Sequence, residues 1–100
     1  TTYPDEAAAV ASAEKLVAAG LAACVQVEGP ILSLYRWDGR LERAREWRCT
    51  CKTTPGTLAA CIDALVAGHP YEVPQVLWRE CGAAASYASW VAGHADGSQA

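Results

Sequence analysis

Two runs of alternating side chains meet at Asp38-Gly39 within ILSLYRWDGRLERAREWRCTCKT, residues 31–53. Both central positions of a two-residue hairpin turn need positive φ, which aspartate tolerates and glycine adopts freely, so the stretch predicts a β-hairpin with a tight turn. Alternation puts Ile31, Ser33, Tyr35 and Trp37 on one face of the first arm and Leu32, Leu34 and Arg36 on the other. On the second arm Leu41, Arg43, Arg45, Trp47, Cys49 and Cys51 share a face, and Glu42, Ala44, Glu46, Arg48, Thr50 and Lys52 share its opposite. An arm from Arg40 to Thr53 is about 45 Å long, whereas a domain of this size has a radius of gyration of about 13 Å. The tip is therefore expected to project past the core, carrying Tyr35, Trp37 and Leu41. A projecting apolar ribbon with open edges invites pairing with another chain, so the hairpin predicts an oligomer.

The rest of the chain is read around this ribbon. Thr1 to Tyr3 reads as the end of a strand, and with no methionine in the sequence most of that strand is expected upstream of residue 1. Pro4-Asp5-Glu6 opens a helix whose apolar stripe is Val10, Leu16 and Val17 with the alanines between, ended by Gly20. Ala22 to Val27 is a short strand, and Gly29-Pro30 predicts a bend or bulge before the hairpin. Thr54-Pro55 starts a second helix with Leu58, Cys61, Ile62, Leu65 and Val66 at helical spacing. Gln75 to Cys81 is expected as a strand, Ser86 to Ala92 as a short helix, and 94–100 as a disordered tail. The order, (β)-α-β-β-α-β-α, is an α+β plan: a ferredoxin-like, split β-α-β sandwich with a long hairpin and an extra C-terminal helix, one domain over residues 1–93.

Composition narrows function. A net charge of −3 argues against nucleic acid, whose binding rests on basic residues neutralising phosphates. The apolar runs are too short to span a membrane and no secretory leader is visible, so no membrane partner is expected and the cytoplasm is the default compartment. The five cysteines are odd in number and lack the spacing of a disulfide framework, which predicts reduced thiols. Cys49 and Cys51 stand too far apart for an ordinary disulfide and are read as small apolar residues beneath a helix, with a shared metal as the alternative. Five arginines on the hairpin alternate with Asp38, Glu42 and Glu46, the pattern of a solvated, mutually paired face. His69-Pro70-Tyr71-Glu72-Val73-Pro74 locks polar groups between two prolines, either as a surface site or as a connector in which His69 caps carbonyls and Tyr71 packs. No serine elbow, phosphate-cradling loop or metalloprotease helix is present, so no enzymatic activity is expected.

Several segments, taken in order, resemble the CutA family, the divalent-cation tolerance proteins. They are Thr2-Tyr3-Pro4-Asp5-Glu6, Leu21-Ala22-Ala23-Cys24-Val25, Ser33-Leu34-Tyr35-Arg36-Trp37-Asp38-Gly39, Lys52-Thr53-Thr54, His69 through Pro74, and Tyr87-Ala88-Ser89-Trp90-Val91. The resemblance implies a homotrimer with strands paired across subunits, a link to tolerance of copper and other divalent cations, and no established reaction. It also implies a likeness to PII-type signalling trimers, which bind small ligands between subunits. In some members a cysteine stands where this chain has Thr1 and a second histidine where it has Gly68; of that set His69 remains, and Cys24 is matched.

These readings combine into one expectation. A homotrimer would hold copper, another divalent cation or a small anion in clefts between subunits. His69, Glu72 and Cys24 are the candidate metal ligands; a soft ion such as Cu(I) would prefer thiols, and Cu(II) or Zn(II) would prefer imidazole and carboxylate. Tyr35, Trp37, Lys52, Tyr71 and Trp90 would line the cleft, and Tyr35, Trp37, Leu41 and Trp47 would form the trimer interface. The alternative is a trimeric signalling scaffold of PII-like architecture that takes no metal.

Overall fold

The computed structural model describes residues 1–97. Within them the elements are β1 (Thr2–Tyr3), α1 (Glu6–Ala18), β2 (Cys24–Trp37), β3 (Arg40–Lys52), α2 (Pro55–Gly68) and α3 (Ala85–His94). The result is a small α+β domain, with three helices and a three-stranded antiparallel sheet in the order β1-β3-β2 among the described residues.

The hairpin forms as the alternation dictates. Asp38 and Gly39 take φ of 50° and 75°, and the register runs from Trp37↔Arg40 at the turn to Cys24↔Lys52 at the far end. Gly29-Pro30, whose peptide is cis, shifts the register between Glu28 and Ile31 without ending the strand, so the two expected strands merge into one bulged β2. The molecule measures 45 × 26 × 21 Å with a radius of gyration of 14.4 Å, and at the hairpin tip Leu41 is 72% exposed.

Helix α1 is closed at both ends by its own sequence. The Asp5 carboxylate accepts from the backbone N–H of Ala8 at 2.7 Å, satisfying a donor that the first turn leaves free. At the other end Gly20, at φ 70°, donates to the Val17 carbonyl and Leu21 donates to Leu16, a Schellman pair that needs a residue comfortable in the left-handed region. Helices α1 and α2 bury Ala9, Ala13, Leu16, Cys61 and Leu65 against the sheet. From the sheet Val25, Val27, Trp47, Cys49 and Cys51 pack into the same layer. Cys49 and Cys51 are thus the residues beneath the helices that the alternation indicated.

Two expectations are corrected here. Gln75 to Cys81 joins no strand ladder among the described residues. It is largely exposed, with Leu77 at 78% and Trp78 at 62% while Val76 packs against the Leu16 cluster, because a strand needs a neighbour and none pairs with this run among the described residues. The expected tail, in turn, begins packed. Ala95 is fully buried with Ala23 and Val91, its carbonyl accepts from the hydroxyls of Thr54 and Thr57, and the N–H of Gly97 donates to the Gly20 carbonyl at 2.9 Å. The remainder of that tail, 98–100, lies outside the described residues. No helix of the described chain is long and apolar enough to cross a membrane.

Candidate functional site

Strand register divides the sheet's two faces. Trp47, Cys49 and Cys51 face α1 and α2, so Glu46, Arg48, Thr50 and Lys52 lie on the opposite face. Ser33, Tyr35 and Trp37 share that opposite face. The segment after α2 passes along the edge of β1 and links the two sides. Its His69 ring stacks on Tyr3 with centroids 4.5 Å apart and planes 13° apart. Two residues on, the Tyr71 hydroxyl donates to Glu46 Oε2 at 2.6 Å.

Glu46 is the hub of this network. It is 8% exposed, and a carboxylate that deep is costly unless its oxygens are hydrogen-bonded. Burial pushes its pKa up, but hydrogen bonds with Ser33, Tyr71 and Thr2 outweigh it and hold the carboxyl below its usual value. Burial and the same carboxylate raise the Tyr71 phenol, which therefore stays protonated as the donor.

The tautomer of His69 follows from its partners. The backbone N–H of Tyr71 donates to Nδ1 at 3.2 Å, so Nδ1 supplies a lone pair and the ring proton sits on Nε2. Nε2 lies 3.0 Å from Thr1 Oγ1, and the Thr2 carbonyl accepts from the ring as well. Burial lowers the His69 pKa, with the Thr2 carbonyl working against it. The neutral ring thus has both nitrogens engaged inside its own chain, and no lone pair is free for a metal ion.

The residues singled out in the sequence fall into two groups. His69, Tyr71 and Tyr35 come together around Glu46, Tyr35 being near enough to Tyr71 to act on its charge; Glu72 is exposed beside them. Cys24 and Lys52 pair across the other end of the sheet, about 20 Å along β3 from Glu46 at the strand rise. Lys52 Nζ donates to Gln26 Oε1 there. Trp90 belongs to that second group. It stacks between Tyr87 and His94 on α3, and Tyr87 hydrogen-bonds Cys24. Among the described residues no three of His, Cys, Asp or Glu gather as a metal site, and His69, Glu72 and Cys24 do not converge within one chain. Trp37 is at the hairpin tip on the face of Tyr35, while Leu41 and Trp47 lie on the opposite face. Trp47 packs against Tyr3, Ala9 and Cys49. Sequence reasoning missed Glu46, which it placed on the solvated charged face; Glu42 shares its alternation and its face, so no local signal set Glu46 apart.

A family model, CutA1 divalent ion tolerance protein, matches residues 1–94. The chain belongs to the CutA1 family. It is 43% identical over 76 residues to the divalent-cation tolerance protein CutA of Salmonella newport, a match covering 76% of this chain and 66% of that protein, so it spans a little under two thirds of that CutA relative's length. The crystal structure of CutA from Xylella fastidiosa aligns with a TM-score of 0.90 at 32% identity, over 95% of this chain and 92% of the other. The periplasmic divalent cation tolerance protein CutA of Archaeoglobus fulgidus aligns with a TM-score of 0.84 at 30% identity, over 95% and 93%. The small α+β domain, with three helices and a three-stranded antiparallel sheet, matches those CutA1 structures.

Proposed function

We propose that this CutA1 protein acts as a homotrimer of ferredoxin-like, split β-α-β protomers that binds and does not catalyse, holding a divalent cation such as copper, or a small anion, in clefts between copies. The observation that carries the reading is the run Gln75–Cys81. It is neither helix nor strand, is exposed at Leu77 and Trp78, and leaves the Glu46 network through Tyr71 with no ladder partner among the described residues. Seated on the sheet edge of a second copy, its backbone groups would gain partners and its apolar side chains would be covered. Such docking would bring another copy's residues to the face that carries Tyr35, Tyr71 and Glu46.

The donors of one chain do not fit a metal by themselves, because His69 has no free lone pair and Cys24 is distant. A cation would need ligands from two copies, with Glu72 or Cys24 facing a neighbour. Reduced thiols suit a cytoplasmic setting. The closed His69 ring favours a second reading, the PII-like trimeric scaffold without metal. Sedimentation equilibrium of the purified protein tests the assembly, for which a stable monomer at micromolar concentration would be fatal. Calorimetric titration with copper and zinc separates the two readings. Binding heat that disappears in His69→Ala supports the cation, and a flat titration, with partner capture that survives chelation, supports the scaffold.

A further inference from the structure

Away from the Glu46 face, two thiols from different elements meet within the helical layer. Cys61, on the inward side of α2, is 2% exposed and belongs to the cluster of Leu16, Ala22 and Leu65. Cys51, near the end of β3, is half-buried and packs against that same cluster. The two thiols hydrogen-bond one another. The other cysteines have different settings. Cys49 is buried beside the chain of Ala9 and donates to its carbonyl at 3.5 Å, and burial pushes its thiol up to about 11. Cys24 hydrogen-bonds Tyr87, and Cys81 is exposed.

We propose that Cys51 and Cys61 form a reversible dithiol–disulfide site, with Cys51 attacking a hydroperoxide and Cys61 resolving the product into a bond that joins β3 to α2. The roles follow from position. Cys51 is the more exposed residue of the two, Cys61 being buried. The hydrogen bond from Cys61 lowers the Cys51 thiol against its burial, which favours the thiolate, the form that reacts. The same bond, together with burial, raises the Cys61 thiol, since two thiolates in contact repel and one proton must stay.

The chemistry closes without further reagents. The Cys51 thiolate attacks one peroxide oxygen; the S–O bond forms as the O–O bond breaks, and the departing alkoxide takes a proton and leaves as an alcohol. Cys61 then gives up its proton and attacks the Cys51 sulfur. The S–S bond forms, the S–O bond breaks, and water leaves. Two thiols have lost two electrons, and the hydroperoxide has been reduced to alcohol and water; with hydrogen peroxide both products are water. A disulfide of this kind inside an otherwise reduced protein belongs to the transient, redox-responsive class.

The test uses the full chain treated with hydrogen peroxide, quenched with N-ethylmaleimide and mapped by mass spectrometry without reduction. The expected result is a peptide linking Cys51 to Cys61 that dithiothreitol separates. In Cys61→Ala the link is absent, and dimedone traps Cys51 sulfenic acid at several times the wild-type level. The double variant Cys24→Ser/Cys81→Ser leaves the core pair intact and should keep the link, so the proposal remains testable even where Cys61→Ala folds poorly. Wild-type protein that accumulates Cys51 sulfenic or sulfinic acid without the link overturns the assignment. So does a map in which Cys51 is joined chiefly to Cys49 or Cys81.

Discussion

The Tyr71 hydroxyl meets Glu46 Oε2 at 2.6 Å across a separation of 25 residues. That bond ties the segment leaving α2 to the face of the sheet opposite α1 and α2, and it gives a buried carboxylate one of the donors it requires. Tyr71→Phe removes the donor and keeps the ring. The expected loss is about 1–3 kcal/mol of stability, the usual cost of stripping one partner from a buried charged group. Urea unfolding at one fixed protein concentration measures it, and an unchanged midpoint would mean that Ser33 and Thr2 suffice.

Stability should fall in two stages on acidification. His69 is held below its ordinary value of 6.5, so the unfolded chain takes up that proton first; its contribution is complete above pH 6.5 and is lost as pH drops through the folded pKa. Glu46 is held below its ordinary 4.5, and its contribution is likewise present above that value and lost as pH falls through the lowered folded one. Denaturation midpoints across the acid range measure both stages. In His69→Gln the upper stage should vanish and the lower one persist.

Gly29 has no room for a side chain. A Cβ there would lie 2.5 Å from Cδ1 of Trp47 and 2.9 Å from the Glu46 carbonyl. Gly29→Ala should therefore cost about 1–3 kcal/mol through overpacking. Gly56, in the first turn of α2, meets nothing within 4 Å, and Gly56→Ala should be neutral or stabilising by up to about 1 kcal/mol. Thermal melts of the pair measure the contrast, and equal shifts would refute the steric argument.

Tyr35 and Trp37 should matter for assembly and Trp47 for folding. Tyr35 and Trp37 are on the Glu46 face at 44% exposure each, and truncating an aromatic anchor costs about 2 kcal/mol or more at an interface, roughly a thirtyfold change in dissociation constant. Dilution followed by sedimentation velocity should find Tyr35→Ala and Trp37→Ala dissociating at higher concentration than wild type. Trp47→Ala, which hollows the cluster of Tyr3, Ala9 and Cys49, should instead lower the folding stability by about 3 kcal/mol.

The elements specified by short-range chemistry could be read from the residues. Asp38-Gly39 set the hairpin register to within a residue, because turn type and alternation leave no other pairing. Thr54-Pro55 and the spacing of Leu58, Cys61 and Leu65 gave α2 and most of its inward side, whereas Val66, expected on that side too, is 51% exposed. Glu46 could not be told from Glu42 by any local pattern. What buries it is a tyrosine arriving from another part of the chain and two hydroxyls, Thr2 and Ser33, from the neighbouring strands. Gln75 to Cys81 has strand-like composition, but ladder pairing is a property of neighbours, and no strand pairs with it among the described residues. Ala95 looked loose because small residues give no periodic signal; its smallness is what lets it seat beneath Thr57.

That seat links distant parts of the molecule. The Ala95 carbonyl takes hydrogen bonds from Thr54 at 3.3 Å and Thr57 at 2.7 Å, the very residues that open α2. Proteolytic trimming just ahead of Ala95 would strand both hydroxyls without an acceptor, and the middle helix would fray at its first turn. The manner in which α2 begins is thus written partly in residues that the ribosome adds some forty positions later.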